Sequence, residues 1–194
     1  GFLVATLRFL NGDETAMSRY WDRRRQKRGD EELGDGMMAL AAGEGRLAIR
    51  KAQNAGKKLG RPELTNLIVA PGAQMVGDKT LATETFKAMV TDERTRFVGV
   101  RGLMQQKLDD GDTDTALKLA EKALVLRPKN ADVQTTLMSL QSRNEDWQGA
   151  RGTLAAALKA GNMPRDVHRR RDAVLALAHA RDAMAEGQVV TATR

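Results

Sequence analysis

Between residues 103 and 126, apolar side chains recur every three or four positions on both sides of a polar stretch, Asp109-Asp110-Gly111-Asp112. This spacing is typical of two amphipathic helices joined by a tight turn. Gly111 can take the positive φ that ends the first helix, and Asp112 or Thr113 can cap the free amides that start the second. Pro128 then ends the pair. The apolar positions are Leu103, Leu108, Ala116, Leu119, Ala120, Ala123, Leu124 and Leu126.

This hairpin is one copy of an internal repeat with a period of 34 residues. One alanine in each copy marks the period: Ala48, Ala82, Ala116 and Ala150. A fixed period of this length is typical of a solenoid, in which each unit buries its apolar face against its neighbours. The third copy resembles the tetratricopeptide pattern through Gly111, Ala116, Ala123 and Pro128. The sequence therefore predicts an all-α fold, a tetratricopeptide-like α-solenoid of about four helical hairpins with a C-terminal capping helix.

The other copies match this pattern less completely. Copy one keeps Gly43 and Ala48, whereas copy four has Glu145 where the other turns have glycine. In copy two, Pro71-Gly72 falls inside the expected first helix, where proline removes a backbone hydrogen bond and clashes with the preceding turn. We therefore expect a kink or an early break near Val69.

Four segments are predicted along the chain. The capping helix is expected to start at Pro164 and to end before Gly187, because apolar residues continue at helical spacing between them. The predicted segments are residues 1–28, apolar and basic; 29–162, the four repeats; 163–187, the capping helix; and 188–194, the tail.

Composition agrees with close-packed helices. The 194 residues are 41% hydrophobic but only 4% aromatic, so the core is expected to consist of Ala, Leu, Met and Val. Cysteine is absent, which rules out disulfides and Cys-ligated metals and fits a reducing compartment.

The first 28 residues differ from the rest. Residues 1–7 are apolar until Arg8 interrupts them, a run far shorter than the roughly 20 residues of a spanning helix. The run is either the end of a longer membrane segment or a short amphipathic helix on the first repeat. Cations beside interfacial aromatics then favour proximity to the cytoplasmic side of a bilayer. These membrane-proximal residues, called the basic segment below, are Arg19, Tyr20, Trp21, Arg23, Arg24, Arg25, Lys27 and Arg28.

Nucleic-acid binding is the alternative interpretation of the basic segment. The formal net charge of +7 permits it. Only Tyr20 and Trp21 could stack on bases near these cations, and no zinc-finger spacing is present. We therefore favour a membrane-proximal role, with nucleic acid a distant second.

At the junction between the basic segment and the first repeat, Arg23-Arg24-Arg25 is followed by Leu33-x-x-Gly36 and by Met38-Ala39-Leu40-Ala41-Ala42-Gly43. This junction resembles the start of the HemY family. The resemblance covers roughly residues 1–160 and implies an inner-membrane protein linked to haem biosynthesis, in which a basic stretch after two N-terminal membrane helices leads into tetratricopeptide repeats. The repeats would then lie on the cytoplasmic side. The residues that carry it are Arg23-Arg24-Arg25, Leu33-x-x-Gly36, Met38-Ala39-Leu40-Ala41-Ala42-Gly43, Ala48-x-x-x-Ala52-x-x-Ala55, Arg101-Gly102-Leu103, Gly111-Asp112, Ala116 and Glu145-Asp146-Trp147-x-x-Ala150.

The sequence offers little support for catalysis. His168 and His179 are the only histidines, and on one straight helix they would lie about 16 Å apart, too far to share a metal. A haem axial role for either histidine, with Met163 or Met184, is an alternative of low weight. No phosphate-binding loop or nucleophile elbow is present. We therefore predict a protein that is not an enzyme and has no cofactor or metal.

The resemblance to the tetratricopeptide pattern implies a binding groove that is lined by the first helix of each hairpin, and it also implies the groove positions given below. Two basic and three polar side chains there suggest an acidic or mixed partner segment. The leading hypothesis is a membrane-tethered scaffold for haem-pathway enzymes; the alternative is a tetratricopeptide assembly factor for another envelope process, such as cytochrome c maturation. The predicted groove residues are Arg101, Gln105, Thr135, Ser139 and Arg143.

Overall fold

The computed structural model describes residues 16–185, which contain nine helices and no strand. The chain divides into two compact units, with the boundary between Met89 and Val90. The apolar run at residues 1–7 and the predicted tail at 188–194 lie outside the described residues. The helices are α1 (Ala16–Ala41), α2 (Gly45–Leu59), α3 (Pro62–Met75), α4 (Lys79–Thr91), α5 (Arg96–Asp109), α6 (Thr113–Leu126), α7 (Ala131–Arg143), α8 (Trp147–Lys159) and α9 (Arg165–Ala185).

The turns inside the hairpins repeat with the 34-residue period. In each, one residue has positive φ, and the next donates its backbone N–H to a carbonyl five residues earlier, which satisfies a free carbonyl at the helix end. Glu145, with φ of 59°, takes the conformation that glycine takes in the other three turns. The fourth turn therefore forms although glutamate, and not glycine, occupies its positive-φ position. The four positions are Gly43, Gly77, Gly111 and Glu145.

Aspartate caps the second helix of three hairpins. Asp78, Asp112 and Asp146 each accept a hydrogen bond from the backbone N–H three residues later, at 3.0, 3.1 and 2.9 Å. Of the two candidates in the third copy, Asp112 is thus the cap, since its side chain accepts from the N–H of Thr115. The caps recur with the same period as the turns.

In the first unit, the basic segment and the first repeat share one helix. The 26 residues of α1 run without a break across positions 28 and 29, where the sequence placed a boundary. Small residues allow α1 to approach α2 closely, since a Cβ on Gly29 would lie 2.6 Å from Leu59 Cδ2 and one on Gly36 would lie 3.3 Å from the Ala52 nitrogen. Charged contacts border this interface, where Lys51 Nζ lies 2.9 Å from Asp35 Oδ2 and 3.2 Å from a Glu32 carboxylate oxygen.

The early break expected near Val69 is wrong, because α3 continues through Pro71 to Met75. Val69 and most of its helix neighbours are buried, so packing offsets the hydrogen bond that proline removes. Gly72 contributes to this packing. A Cβ on Gly45 of α2 would lie 2.8 Å from the Gly72 carbonyl oxygen, so the two backbones cross closely at a pair of glycines.

The second unit contains the hairpins α5–α6 and α7–α8, followed by α9. Ala116 and Ala120 of α6 are fully buried against Met104 of α5 and against Leu137 and Leu140 of α7. The small alanine side chains let three helices approach one another closely.

Helix α9 packs on α8 through apolar and polar contacts. Leu175 lies in a buried cluster with Ala150 and Leu154. Arg151 Nε donates to Asp172 Oδ1 at 2.7 Å, and the Trp147 indole N–H donates to Asp182. These contacts place α9 next to the fourth hairpin, where the sequence expected a capping helix.

Candidate protein-binding groove

The five predicted groove residues lie on two helices of the second unit. Arg101 and Gln105 lie one turn apart on α5, and Thr135, Ser139 and Arg143 follow one another at intervals of four on α7. Because residues four apart share a helix face, each set forms a row. All five side chains are exposed, so they are available to a partner. Their role in binding stays a prediction.

Contacts within the protein reduce the basic character of this surface. Arg101 Nη2 lies 3.0 Å from Asp132 Oδ2 of α7, and Gln105 Nε2 donates to Asp109 Oδ1 at 2.9 Å. The Arg101–Asp132 pair is solvent-exposed, so it contributes little to stability and its arginine can be shared with a partner carboxylate. No ion pair is found for Arg143 among residues 16–185. The sequence analysis treated Arg101 and Arg143 as equivalent and did not predict that, within these residues, only Arg101 is paired with an aspartate.

An apolar cleft lies between α7 and α9 beside Ser139, and sequence reasoning missed it. Its volume is about 310 Å³, and the surface inside it is mostly apolar although two serines and two arginines also line it. Val174, an apolar residue of the predicted capping helix, lines the cleft and is 67% exposed. The residues lining this α7–α9 cleft are Met138, Ser139, Ser142, Arg170, Arg171, Val174 and Leu175.

The electrostatics of α9 favour its attachment to α8. Hydrogen bonds from the Arg151 guanidinium hold the pKa of Asp172 below its ordinary value of 3.8, with a smaller contribution from nearby His168. The same pairing raises the pKa of Arg151. The ion pair is therefore formed at neutral pH, and it positions the helix that supplies one wall of the cleft.

The histidines and methionines considered as haem ligands occupy different environments. His168 and His179 are both half-buried on α9. Met163 packs against the buried cluster beside α8, whereas Met184 is 68% exposed. Between residues 16 and 185, no group of three or more His, Cys, Asp or Glu side chains is arranged to hold a metal ion.

The basic segment lies on the first turns of α1. All eight of its side chains are exposed, and the rings of Tyr20 and Trp21 meet edge to face with centroids 6.0 Å apart. Arg25 Nη2 also donates to the Lys57 carbonyl at 2.7 Å, near the end of α2, where a cation interacts favourably with the helix dipole. Within the described part of the chain, every helix is too short or too polar to cross a bilayer.

Comparison with family models gives two matches. Residues 1–77 match the model described as the HemY protein N-terminus, and residues 107–170 match a tetratricopeptide repeat. No curated protein matches the sequence.

Solved structures align with most of the chain. The crystal structure of the MamA protein aligns with a TM-score of 0.58 at 14% identity, covering 86% of this chain and 87% of that one. A tetratricopeptide-repeat protein of Thermus thermophilus aligns with a TM-score of 0.49 at 17% identity, covering 84% and 86%. PilF of Pseudomonas aeruginosa aligns with a TM-score of 0.43 at 16% identity, covering 87% and 89%. The likeness to MamA is one of fold, and with the repeat match it confirms the predicted all-α, tetratricopeptide-like class.

Proposed function

We propose that this chain, a HemY-like tetratricopeptide-repeat protein, is a non-catalytic scaffold held at the cytoplasmic face of a bacterial inner membrane, where its groove binds enzymes of haem biosynthesis. Tetratricopeptide repeats are suited to binding other proteins, and residues 107–170 match such a repeat. The link to haem biosynthesis comes from the likeness of residues 1–77 to the HemY N-terminus.

One observation carries the proposal. Five exposed polar and cationic side chains form two rows on α5 and α7, and Ser139 joins the second row to the α7–α9 cleft. Exposed hydrogen-bonding groups beside an apolar cleft can bind a peptide segment, with the apolar surface supplying affinity and the polar groups supplying register. A scaffold needs only such a complementary surface.

The basic segment supports the membrane-proximal part of the proposal. Its cations are exposed along a helix that continues directly into the first repeat, and its two aromatic side chains are more than half exposed. Anionic lipid attracts such cations, and Trp and Tyr favour the level of the headgroups. Since α1 is continuous, a membrane-bound basic segment would hold the first repeat at the bilayer surface.

Site-specific photocrosslinking in membranes tests the scaffold proposal. A photoreactive residue replaces Gln105 or Ser139 in the groove, or Lys118 or Lys122 on exposed positions of α6 as matched controls. We expect the groove positions alone to give discrete crosslinked bands containing haem-pathway enzymes. Bands with other envelope proteins would favour the assembly-factor alternative, and equal labelling at all four positions would contradict groove binding.

A further inference from the structure

The α7–α9 cleft has an apolar floor and is open to solvent. Leu175 is buried beneath it, Met138 is half-buried, and Val174 is 67% exposed. A volume of about 310 Å³ lies at the lower end of the range of ligand sites, roughly 300 to 1,000 Å³. The cleft therefore has room for one large apolar side chain of a bound segment.

The apolar surface continues along α9 beyond the cleft. Val174, Leu177 and Met184 are 67%, 64% and 68% exposed. Their spacings of three and seven residues place them along one side of the helix. Single exposed apolar residues are ordinary, but a row that continues a cleft is typical of an interaction surface.

Arginines surround this apolar surface. Arg170 and Arg171 line the cleft, and Arg181 is exposed between Leu177 and Met184. The Arg170 guanidinium lies 2.7 Å from Asp166, but both side chains are largely exposed, so another carboxylate can replace this partner. A second copy docking through the same face would bring like charges together, which is unfavourable. Carboxylates beside an apolar side chain are the complementary chemistry, because arginine binds them through paired hydrogen bonds.

We infer that the α7–α9 cleft binds a partner segment in which a large apolar side chain lies next to Asp or Glu residues. The apolar side chain packs between Met138 and Val174, and the flanking carboxylates contact Arg170 and Arg171. This inference rests on the proposed function and specifies the chemistry of the partner segment.

Peptide phage display on the full 194-residue chain tests the inference with a defined probe. A random library of short peptides is selected against the chain, and the enriched peptides are synthesised with a fluorescent label for anisotropy titration. We expect them to share a large apolar residue close to Asp or Glu. Changing that residue to Ser, or the acids to Lys, should weaken binding about tenfold.

Four variants locate the binding surface. Val174→Ser and Arg171→Gln should each weaken binding of the selected peptides about fivefold or more. Val125→Ser on α6 and Arg169→Gln on α9 are matched controls, because both residues are exposed and neither lines the cleft, and they should bind as the parent chain does. All four sites are exposed, so melting temperatures should stay unchanged.

Three results would overturn the inference. The first is a selection that yields no binding peptide or only basic ones. The second is that the selected peptides bind Val174→Ser and Arg171→Gln normally. The third is concentration-dependent self-association that Val174→Ser abolishes, because this would assign the surface to a second copy.

Crosslinking at Gln105, which does not line the cleft, reports separately on the proposed function. Crosslinks at Gln105 without cleft-dependent peptides would support the scaffold proposal and refute the acidic-segment inference. Cleft-dependent peptides without crosslinks at Gln105 would support the inference about the cleft and refute groove binding.

Discussion

At Glu145, a side chain occupies a backbone conformation that glycine takes at the equivalent position of three other turns. The φ of 59° places it in the left-handed region, which costs an L-residue roughly 1–2 kcal/mol. The carbonyl of Gln141 still accepts the N–H of Asp146, and Asp146 still caps α8, so the repeat geometry outweighs this strain. The 34-residue spacing thus predicts the turn correctly even where the residue type argues against it.

Replacing Glu145 with Gly should stabilise the protein. The gain expected from relief of the left-handed strain is about 0.5–1 kcal/mol, after the larger chain entropy of glycine in the unfolded state is subtracted. Chemical denaturation of the parent and Glu145→Gly measures it. Glu145→Gln keeps the strain and removes the charge; a gain of equal size in that variant would show that charge, not backbone conformation, is responsible.

Replacing Ala116 with Leu should destabilise the protein by about 1–3 kcal/mol, because the larger side chain overpacks the contact between α6, α5 and α7. Ala116 is fully buried, whereas Ala155 on α8 is exposed and gives the matched control Ala155→Leu. Thermal unfolding of both variants tests the repeat register. An unchanged melting transition for Ala116→Leu would count against it.

At the scale of the helix, the sequence predicted the helix ends that depend on local residues, and it failed where packing between helices determines whether a helix continues. The bounds of α5–α6 follow from the turn at Gly111 and from Pro128, both of which act through their own backbone. Pro71 was expected to break α3, but the buried face of that helix and the Gly45–Gly72 crossing keep it continuous. That crossing depends on which residues of α2 face α3. The sequence of one helix alone does not predict which of its residues will face a neighbouring helix.

The attachment of α9 should depend on pH through Asp172. Because Arg151 lowers the folded-state pKa below 3.8, the pair contributes its full stability above that pH and loses it as the pH falls through the lowered value. Asp172→Asn should therefore lower the melting temperature at pH 7 relative to the parent. The difference should shrink as the pH falls below 3.8.

Asp166→Asn is the control for this titration, because its pair with Arg170 on the same helix is largely exposed. It should melt as the parent does throughout the range. A melting difference for Asp172→Asn that persists unchanged in acid would mean that the Arg151 pair does not account for the effect.

At the scale of the molecule, the sequence predicted the fold class correctly, whereas the groove residues stay a prediction and the α7–α9 cleft was missed. Arg101 and Arg143 are both exposed as expected, but the contact with Asp132 makes them unequal. The α7–α9 cleft needs side chains from two helices about 30 residues apart in the chain, and sequence periodicity carries no information on how those helices meet.

Membrane association should depend on the basic segment, at about 1 kcal/mol per basic residue close to an anionic surface. Arg23→Gln with Arg24→Gln should reduce flotation of the chain with anionic liposomes, and added salt should reduce it further. Lys118→Gln with Lys122→Gln removes the same charge from α6 and should have little effect. Equal flotation with neutral and anionic lipid would contradict electrostatic membrane binding and indicate that the basic segment has another role.

The central claim is that function depends on the groove and not on chemistry at the histidines. Its most direct test measures whether three purified double variants still bind the membrane partner that photocrosslinking identifies. Arg101→Glu with Arg143→Glu should abolish capture while helicity and melting stay unchanged, because both side chains are exposed.

Lys118→Glu with Lys122→Glu carries the same charge change on α6 and should capture the partner normally, as should His168→Ala with His179→Ala. Loss of capture, or of a haem absorbance band, in the histidine variant alone would contradict the scaffold account and indicate a ligand-handling role.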